Sequence, residues 1–225
     1  MSLILSIETS LKICSVALHD AGKLVAYEEV IQERSHSEQI TILINKILKN
    51  NNSGKSLSAI AVSKGPGSYT GLRIGVATAK GLCFAMDLPL IAINTLQIIA
   101  AEVNQKLNPE KYFVCPMIDA RRMEVYTALF DHENNFIENT EAKILDQDFH
   151  KDHLAKKKLI FAGDGSEKLK PMMNYHSNVF FVENVLPSAK FMGAFADDLY
   201  VKNQFEDVAY FEPYYLKEFY TKPLL

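Results

Sequence analysis

The stretch Lys64 to Met86, KGPGSYTGLRIGVATAKGLCFAM, limits the fold more than any other part of the chain. Gly65-Pro66-Gly67 places two residues free to take positive φ around a proline of fixed φ, which predicts a sharp exit from a strand. Ser68 or Thr70 can then cap a helix. On a wheel of about 100° per residue, Leu72, Val76, Ala79, Leu82, Cys83 and Met86 form one apolar face, and Ile74, Ala77, Gly81, Phe84 and Ala85 populate the other side. Only Arg73 and Lys80 give this helix a polar strip. A helix apolar nearly all round must be covered on both sides, by a sheet and by either a partner or the protein's own second domain. Gly71, Gly75 and Ala79 recur every four residues, a spacing that lets another helix approach, so the partner is expected on that stripe.

The flanking chain supplies the sheet. Leu3 to Glu8, Cys14 to His19 and Lys23 to Ile31 read as strands, and Asp20-Ala21-Gly22 joins the last two into an antiparallel meander. Ser35 and Glu38 stand at capping-box spacing before a helix whose Ile40, Leu43, Ile44, Ile47 and Leu48 share one face. Ile42 falls on the opposite side beside Glu38, Asn45 and Lys49, either as an ordinary exposed residue or as part of the same partner surface. After a polar linker from Asn50 to Lys55, Ala59 to Val62 reads as a buried strand entering the glycine turn. Leu88 to Ile93 is the next strand, and Thr95 can cap a helix ending before Pro109.

The second half repeats this order loosely. Tyr112 to Asp119 and Glu124 to Asp131 read as strands, as do Leu159 to Ala162 and Val179 to Val182. Gly163-Asp164-Gly165 is a turn before a short helix near Glu167, and Ser188 can cap a helix through Tyr200. An α/β fold of two related βββαβα halves, 1–108 and 109–225, each a mixed sheet with helices and right-handed crossovers, follows from this pattern.

The net charge of −3 and the isolated triplet Lys156-Lys157-Lys158 argue against unaided RNA binding. Cys14, Cys83 and Cys115 each lie in an apolar run, as core residues of a reducing compartment do, and no CxxC pair suggests zinc. No apolar stretch reaches about 18 residues and no signal-type start is present, so a soluble, cytoplasmic protein is expected.

Chemistry-bearing patterns are sparse. After Gly65 the chain gives Thr70-Gly71-Leu72 where a P-loop needs Gly-Lys-Ser/Thr. Glu8 ends the first strand without a glycine hairpin behind it and reads as a surface or interface carboxylate. His150 and His153 stand three apart, but two ligands without a third do not make a metal site. Asp119, Arg121, Arg122 and Glu124 surround a strand turn, where they serve as acid, base or anion clamp or simply pair with one another. No Ser-His-Asp or Cys-His arrangement is evident.

Four stretches, ILSIETSLKICSVAL, KGPGSYTGLRIGVATAKGL, IDARRMEVY and FEPYYLK, together resemble the bacterial TsaB (YeaZ) family across nearly the whole chain. The resemblance implies two actin-like lobes of the sugar-kinase/Hsp70/actin superfold, the second smaller and degenerate. It implies a non-catalytic subunit that binds and activates TsaD, which transfers a threonylcarbamoyl group to N6 of the tRNA adenosine beside the anticodon. TsaE is implied as an accessory ATPase, with ATP and metal on the partner subunits, none bound by this chain alone, and tRNA reached only through the complex. The metal-binding HxxxH of TsaD has no counterpart, since Ile40 follows His36 by four residues. The family's helix-bundle interface, carried onto this chain, comprises His36, Ile42 and Asn45 of one helix and Gly71, Arg73, Ile74, Gly75, Thr78 and Ala79 of the next. A homodimer through the same face would compete with TsaD. A charge at Ile74 or Gly75 is expected to abolish the complex and spare the fold. The alternative is a stand-alone ATP-dependent phosphotransferase or peptidase of the same superfold.

Overall fold

The computed structural model describes residues 2–31, 36–51, 55–107, 112–173 and 175–217. Strands β1 (Leu3–Glu8), β2 (Ile13–Asp20) and β3 (Lys23–Ile31) form the expected meander, closed at Ala21 and Gly22 by φ of 47° and 74°. Helix α1 (His36–Asn50), β4 (Ala59–Gly65), α2 (Tyr69–Met86), β5 (Leu90–Asn94) and α3 (Thr95–Lys106) follow. The second half runs β6 (Tyr112–Asp119), β7 (Glu124–Phe130), β8 (Phe136–Ile144), α4 (Lys151–Leu154), β9 (Lys158–Ala162), α5 (Lys170–Met173), β10 (Val179–Val182) and α6 (Gly193–Val201). Two mixed sheets result, ordered β3-β2-β1-β4-β5 and β8-β7-β6-β9-β10, so the halves share one topology. They differ in their helices, for α4 and α5 have four residues each where α1 has 15 and α2 has 18.

Helix α1 buries Ile40, Leu43, Ile44 and Ile47 beside Val76, Ala79 and Cys83 of α2 on one face of the first sheet. Its other face carries Ala196 of α6 and Ile98 of α3. Leu96, Ile99, Ala100 and Val103 of α3 lie on the second sheet with Val114, Ala128 and Ile160, while Leu154 and Met173 cover the opposite face of that sheet. Packing thus crosses the midpoint of the chain in both directions; Asn108 itself lies outside the described residues, as does Ser35 of the anticipated capping box.

Three local expectations are corrected. Asn94 rather than Thr95 caps α3, its side chain accepting from the Leu96 amide at 2.9 Å. The Ser188 hydroxyl donates to Glu29 at 3.0 Å instead of capping a helix, and α6 begins at Gly193 after a 3-10 turn. Strand β8 was not foreseen, because its Glu138, Glu141 and Lys143 give an edge strand a charged, loop-like composition. No helix among the described residues is long and apolar enough to cross a membrane.

The glycine turn forms as predicted, with Ser68 capping α2 by accepting from the Gly71 amide at 3.3 Å. Gly65 takes the positive φ, 109°. Gly67 is needed for space instead, as a Cβ there would lie 2.5 Å from the Ser10 carbonyl oxygen. Gly71 and Gly75 pack against the end of β1: their Cβ positions fall 2.1 Å from Thr9 O and 2.2 Å from Thr9 Oγ1. The two glycines of the small-residue stripe therefore admit the end of the chain's own first strand. Glu8, read from sequence as a surface or interface carboxylate, is fully buried beside this contact, with Oε1 accepting from the Ser10 amide. Burial pushes its carboxyl up to about 7, and the neighbouring Ser10 and Ser63 groups offset only part of that rise.

Past α6, residues 203–217 strap the first lobe to the second. Glu206 donates its amide to Leu90 O at 2.9 Å and Tyr214 to Lys64 O at 2.7 Å, and Lys80 of α2 donates to the carbonyls of Ala209 (3.1 Å) and Phe211 (3.0 Å). Further along the strap Lys217 pairs with Glu124 of the second lobe.

Two outcomes test this account. Gly71→Ala forces the Thr9 backbone aside and should lower unfolding free energy by about 1–3 kcal/mol. Gly81→Ala in the same helix, where nothing lies within 4 Å, should raise it by up to about 1 kcal/mol; urea titrations decide. Glu8 holds a proton in the folded state between its ordinary 4.5 and about 7, so stability falls as pH rises through that window, by about 3 kcal/mol once ionisation is complete. Glu8→Gln should abolish that fall, leaving the variant the more stable of the two at pH 8 and not at pH 4, by denaturation at both.

Candidate partner-binding face

With Gly71, Leu72, Gly75, Val76, Ala79 and Cys83 buried, α2 turns the opposite side to solvent. That side consists of Arg73, Ala77, Gly81, Phe84 and Ala85, with Phe84 88% exposed. Helix α1 lies alongside with Ile42 57% exposed and Asn45 outward. Exposed apolar side chains grouped in this way on adjoining helices are a common mark of an interaction surface.

The residues assigned to the interface from sequence divide in three. Ile42, Asn45 and Arg73 are exposed, and Ile74 and Thr78 are half-buried, the Thr78 hydroxyl donating to Ile74 O at 2.8 Å. Gly71, Gly75 and Ala79 face inward, and His36 is buried at the start of α1. Gly75 consequently cannot serve as a surface test, since any side chain there meets Thr9. Ala77, Gly81 and Phe84 were not among the assigned residues, although the wheel already placed them on the free side; the signal was present and the glycine spacing outweighed it.

At its start the face continues into an open groove of about 460 Å³ lined by Tyr69, Thr70, Arg73, Ile74 and Ala77. Arg73 Nη1 donates to Tyr69 Oη at 2.6 Å, and the Tyr69 ring stands 5.1 Å from that of Tyr215 in the strap. The groove is thus lined by the first turns of α2, with the strap braced against its Tyr69.

The ends of β1 and β6 face each other between the lobes. Leu11 packs into the core of the second lobe, and Lys12 acts electrostatically on Asp164. Asp164 is raised by burial, while its Oδ1 accepts from the Asp119 amide at 3.0 Å. Asp119 accepts from Lys168 and from the Arg121 amide, both at 2.6 Å; despite partial burial these hold its carboxyl below the ordinary value. The acidic residues of this hairpin thus pair with Lys168 and Lys217 from other segments, not with Arg121 and Arg122, which form the turn at φ of 69° and 48°.

The remaining reactive groups are held inert or are newly assembled. Burial raises the thiols of Cys14 and Cys83 to about 11 and that of Cys115 to about 12, which removes the thiolate a nucleophile needs. His150 and His153, a pair without a third ligand in the sequence, gain Glu138 from β8.

The chain is similar to known proteins over nearly its full length. The family model described as "TsaD: tRNA N6-adenosine threonylcarbamoyltransferase" matches residues 29–211. The tRNA threonylcarbamoyladenosine biosynthesis protein TsaB of Escherichia coli (strain K12) is 32% identical over 223 residues, covering 95% of this chain and 94% of that protein. Among solved structures, a Pseudomonas aeruginosa protein described as similar to peptidase YEAZ superposes with a TM-score of 0.82 at 25% identity, over 96% of this chain and 100% of that one. An inorganic polyphosphate/ATP-glucomannokinase from Arthrobacter shares the fold alone, with a TM-score of 0.52 at 12% identity, over 89% of this chain and 100% of that one. Two actin-like lobes and full-length similarity together place the chain in the TsaB (YeaZ) family, with a role in tRNA threonylcarbamoyladenosine biosynthesis.

Proposed function

We propose that this chain is a non-catalytic subunit that binds and activates TsaD, the subunit that transfers the threonylcarbamoyl group to N6 of the tRNA adenosine. The observation that carries the reading is the outward face of α2, where Phe84 is 88% exposed among Ala77, Gly81 and Ala85, with Ile42 of α1 alongside. Burying one such phenylalanine is worth roughly 1.5–3 kcal/mol, and Gly81 leaves room for a second helix to approach there. Docking acts by population shift, favouring the conformation of TsaD that is competent for transfer without contributing a reacting side chain. ATP and the catalytic metal reside on TsaD and TsaE, and tRNA is met only through the assembly. A homodimer through the same face competes with TsaD.

The contacts already made at the junction between the lobes support the same reading over a phosphotransferase. Leu11 occupies apolar space there, and Asp119, Asp164 and Glu124 are engaged by neighbouring groups. A peptidase is opposed by three cysteines buried with raised thiols.

Phe84→Asp and Ile42→Asp should abolish co-purification with TsaD and reduce transfer to tRNA in a mixture of TsaD, TsaE and threonylcarbamoyl-adenylate, with melting temperatures unchanged. Transfer that proceeds at full rate without this chain, or undiminished capture of TsaD by both variants, would overturn the proposal.

A further inference from the structure

Strand β8 carries Glu138 on the edge of the second sheet, and the chain returns twelve residues later through His150 and α4. Phe149 and Leu154 of that return segment are buried in the lower core of the second lobe, which fixes the intervening turn over β8. The result is a compact group: His153 Nε2 lies 2.6 Å from Glu138 Oε1, His150 Nδ1 lies 3.7 Å from Glu138 Oε2, and one ligand atom from each of the three residues falls within 4.8 Å of the others. The His150 side chain is 2% exposed, and its Nε2 has no hydrogen-bond partner among the described residues. Glu138 and His153 are about a quarter exposed, so the group opens to solvent on one side.

We propose that Glu138, His150 and His153 form a binding site for a divalent transition-metal ion, of which zinc is the best match. Two imidazoles and one carboxylate form a donor set that zinc accepts in tetrahedral geometry, with water in the fourth position. Metal–ligand bonds of about 2.0–2.2 Å require donor atoms roughly 3.3 Å apart, so the 2.6 Å pair of His153 and Glu138 must open and the wider spacing to His150 must close, shifts of about an ångström within reach of side-chain rotation. The proton shared at 2.6 Å between His153 and Glu138 is what the metal displaces. Lys143 stays on Glu138 Oε2 at 2.9 Å and on Glu141 Oε1 at 2.8 Å, holding the carboxylate with its other oxygen toward the metal, as outer partners of metal ligands do. Glu138, Glu141 and Lys143 together leave the site with net negative charge, which suits a dication. Bound there, the ion clips the β8 edge strand to the segment of α4, in the lobe whose helices are shortest.

The test uses the full chain without a histidine tag, stripped with chelator. Isothermal titration with zinc should give one equivalent at micromolar affinity or tighter, and cobalt(II) should develop visible d–d bands of a four- or five-coordinate site. Glu138→Gln, which keeps the side chain's shape, and His153→Ala should each weaken zinc binding at least about tenfold, while His176→Ala should not. Zinc should also raise the melting temperature of the wild-type chain and not of Glu138→Gln, as binding to the folded state alone requires. Absence of a stoichiometric zinc isotherm in the wild type would overturn the proposal, and so would binding that both ligand variants retain in full.

Discussion

The end of the first strand and the second helix meet at Thr9 more closely than any Cβ permits. Gly71 and Gly75 bring α2 down onto Thr9, whose hydroxyl donates to Gly71 O at 2.8 Å, so helix and strand end are joined by both van der Waals contact and a buried hydrogen bond. This fixes the rotation of α2 about its own axis. Once that rotation is set, Val76, Ala79 and Cys83 must enter the core, and Ala77, Gly81 and Phe84 must point away from it. The exposed face is thus a consequence of the buried contact, and a residue with a side chain at Gly71 or Gly75 would turn or lift that exposed surface.

The second lobe makes the same kind of approach and stops there. A Cβ at Gly163 would lie 2.3 Å from Met117 O, and one at Gly165 would meet Ile118, as Gly67 meets Ser10 in the first lobe. Each sheet is closed by a glycine turn pressed against the end of its central strand. The four residues of α5 then offer no counterpart to the 18 of α2, so the repeat preserves the sheet and loses the helical surface. The two halves have diverged where packing on the sheet does not require them to agree.

Periodicity made most of the framework legible. The meander, α1, α2 and the glycine turn each carry a strong local pattern, and each formed. What failed depends on contacts remote in sequence. The spacing of Gly71, Gly75 and Ala79 says that something approaches closely, but whether it is Thr9 or another molecule is a tertiary fact. Glu8 looks like a surface carboxylate until its neighbours on β2 and β4 cover it. Strand β8 is disguised by charged residues suited to a sheet edge, and with it the third member of the Glu138 group was hidden from any search for closely spaced ligands. Ser188 has the residue type of a helix cap, but the opportunity to reach Glu29 on β3 outweighs local capping.

The distribution of uncompensated surface separates the two places where this fold could act. Between the lobes, Leu11 is taken into apolar packing, Asp119 is held by Lys168, Glu124 by Lys217 from the strap, and Asp164 by the Asp119 amide. Such groups have their interactions made already, so a ligand entering there must break as many as it forms. On the outer side of α2 the balance is the reverse. Phe84, Ala77 and Ile42 are held in water on helices packed against the core, and a partner that covers them gains their burial. Lys80, the helix's second cation, is turned aside to the strap carbonyls and leaves that surface free of its charge. Unmade apolar contact is therefore available at the helix face, while at the junction most polar contacts are made already.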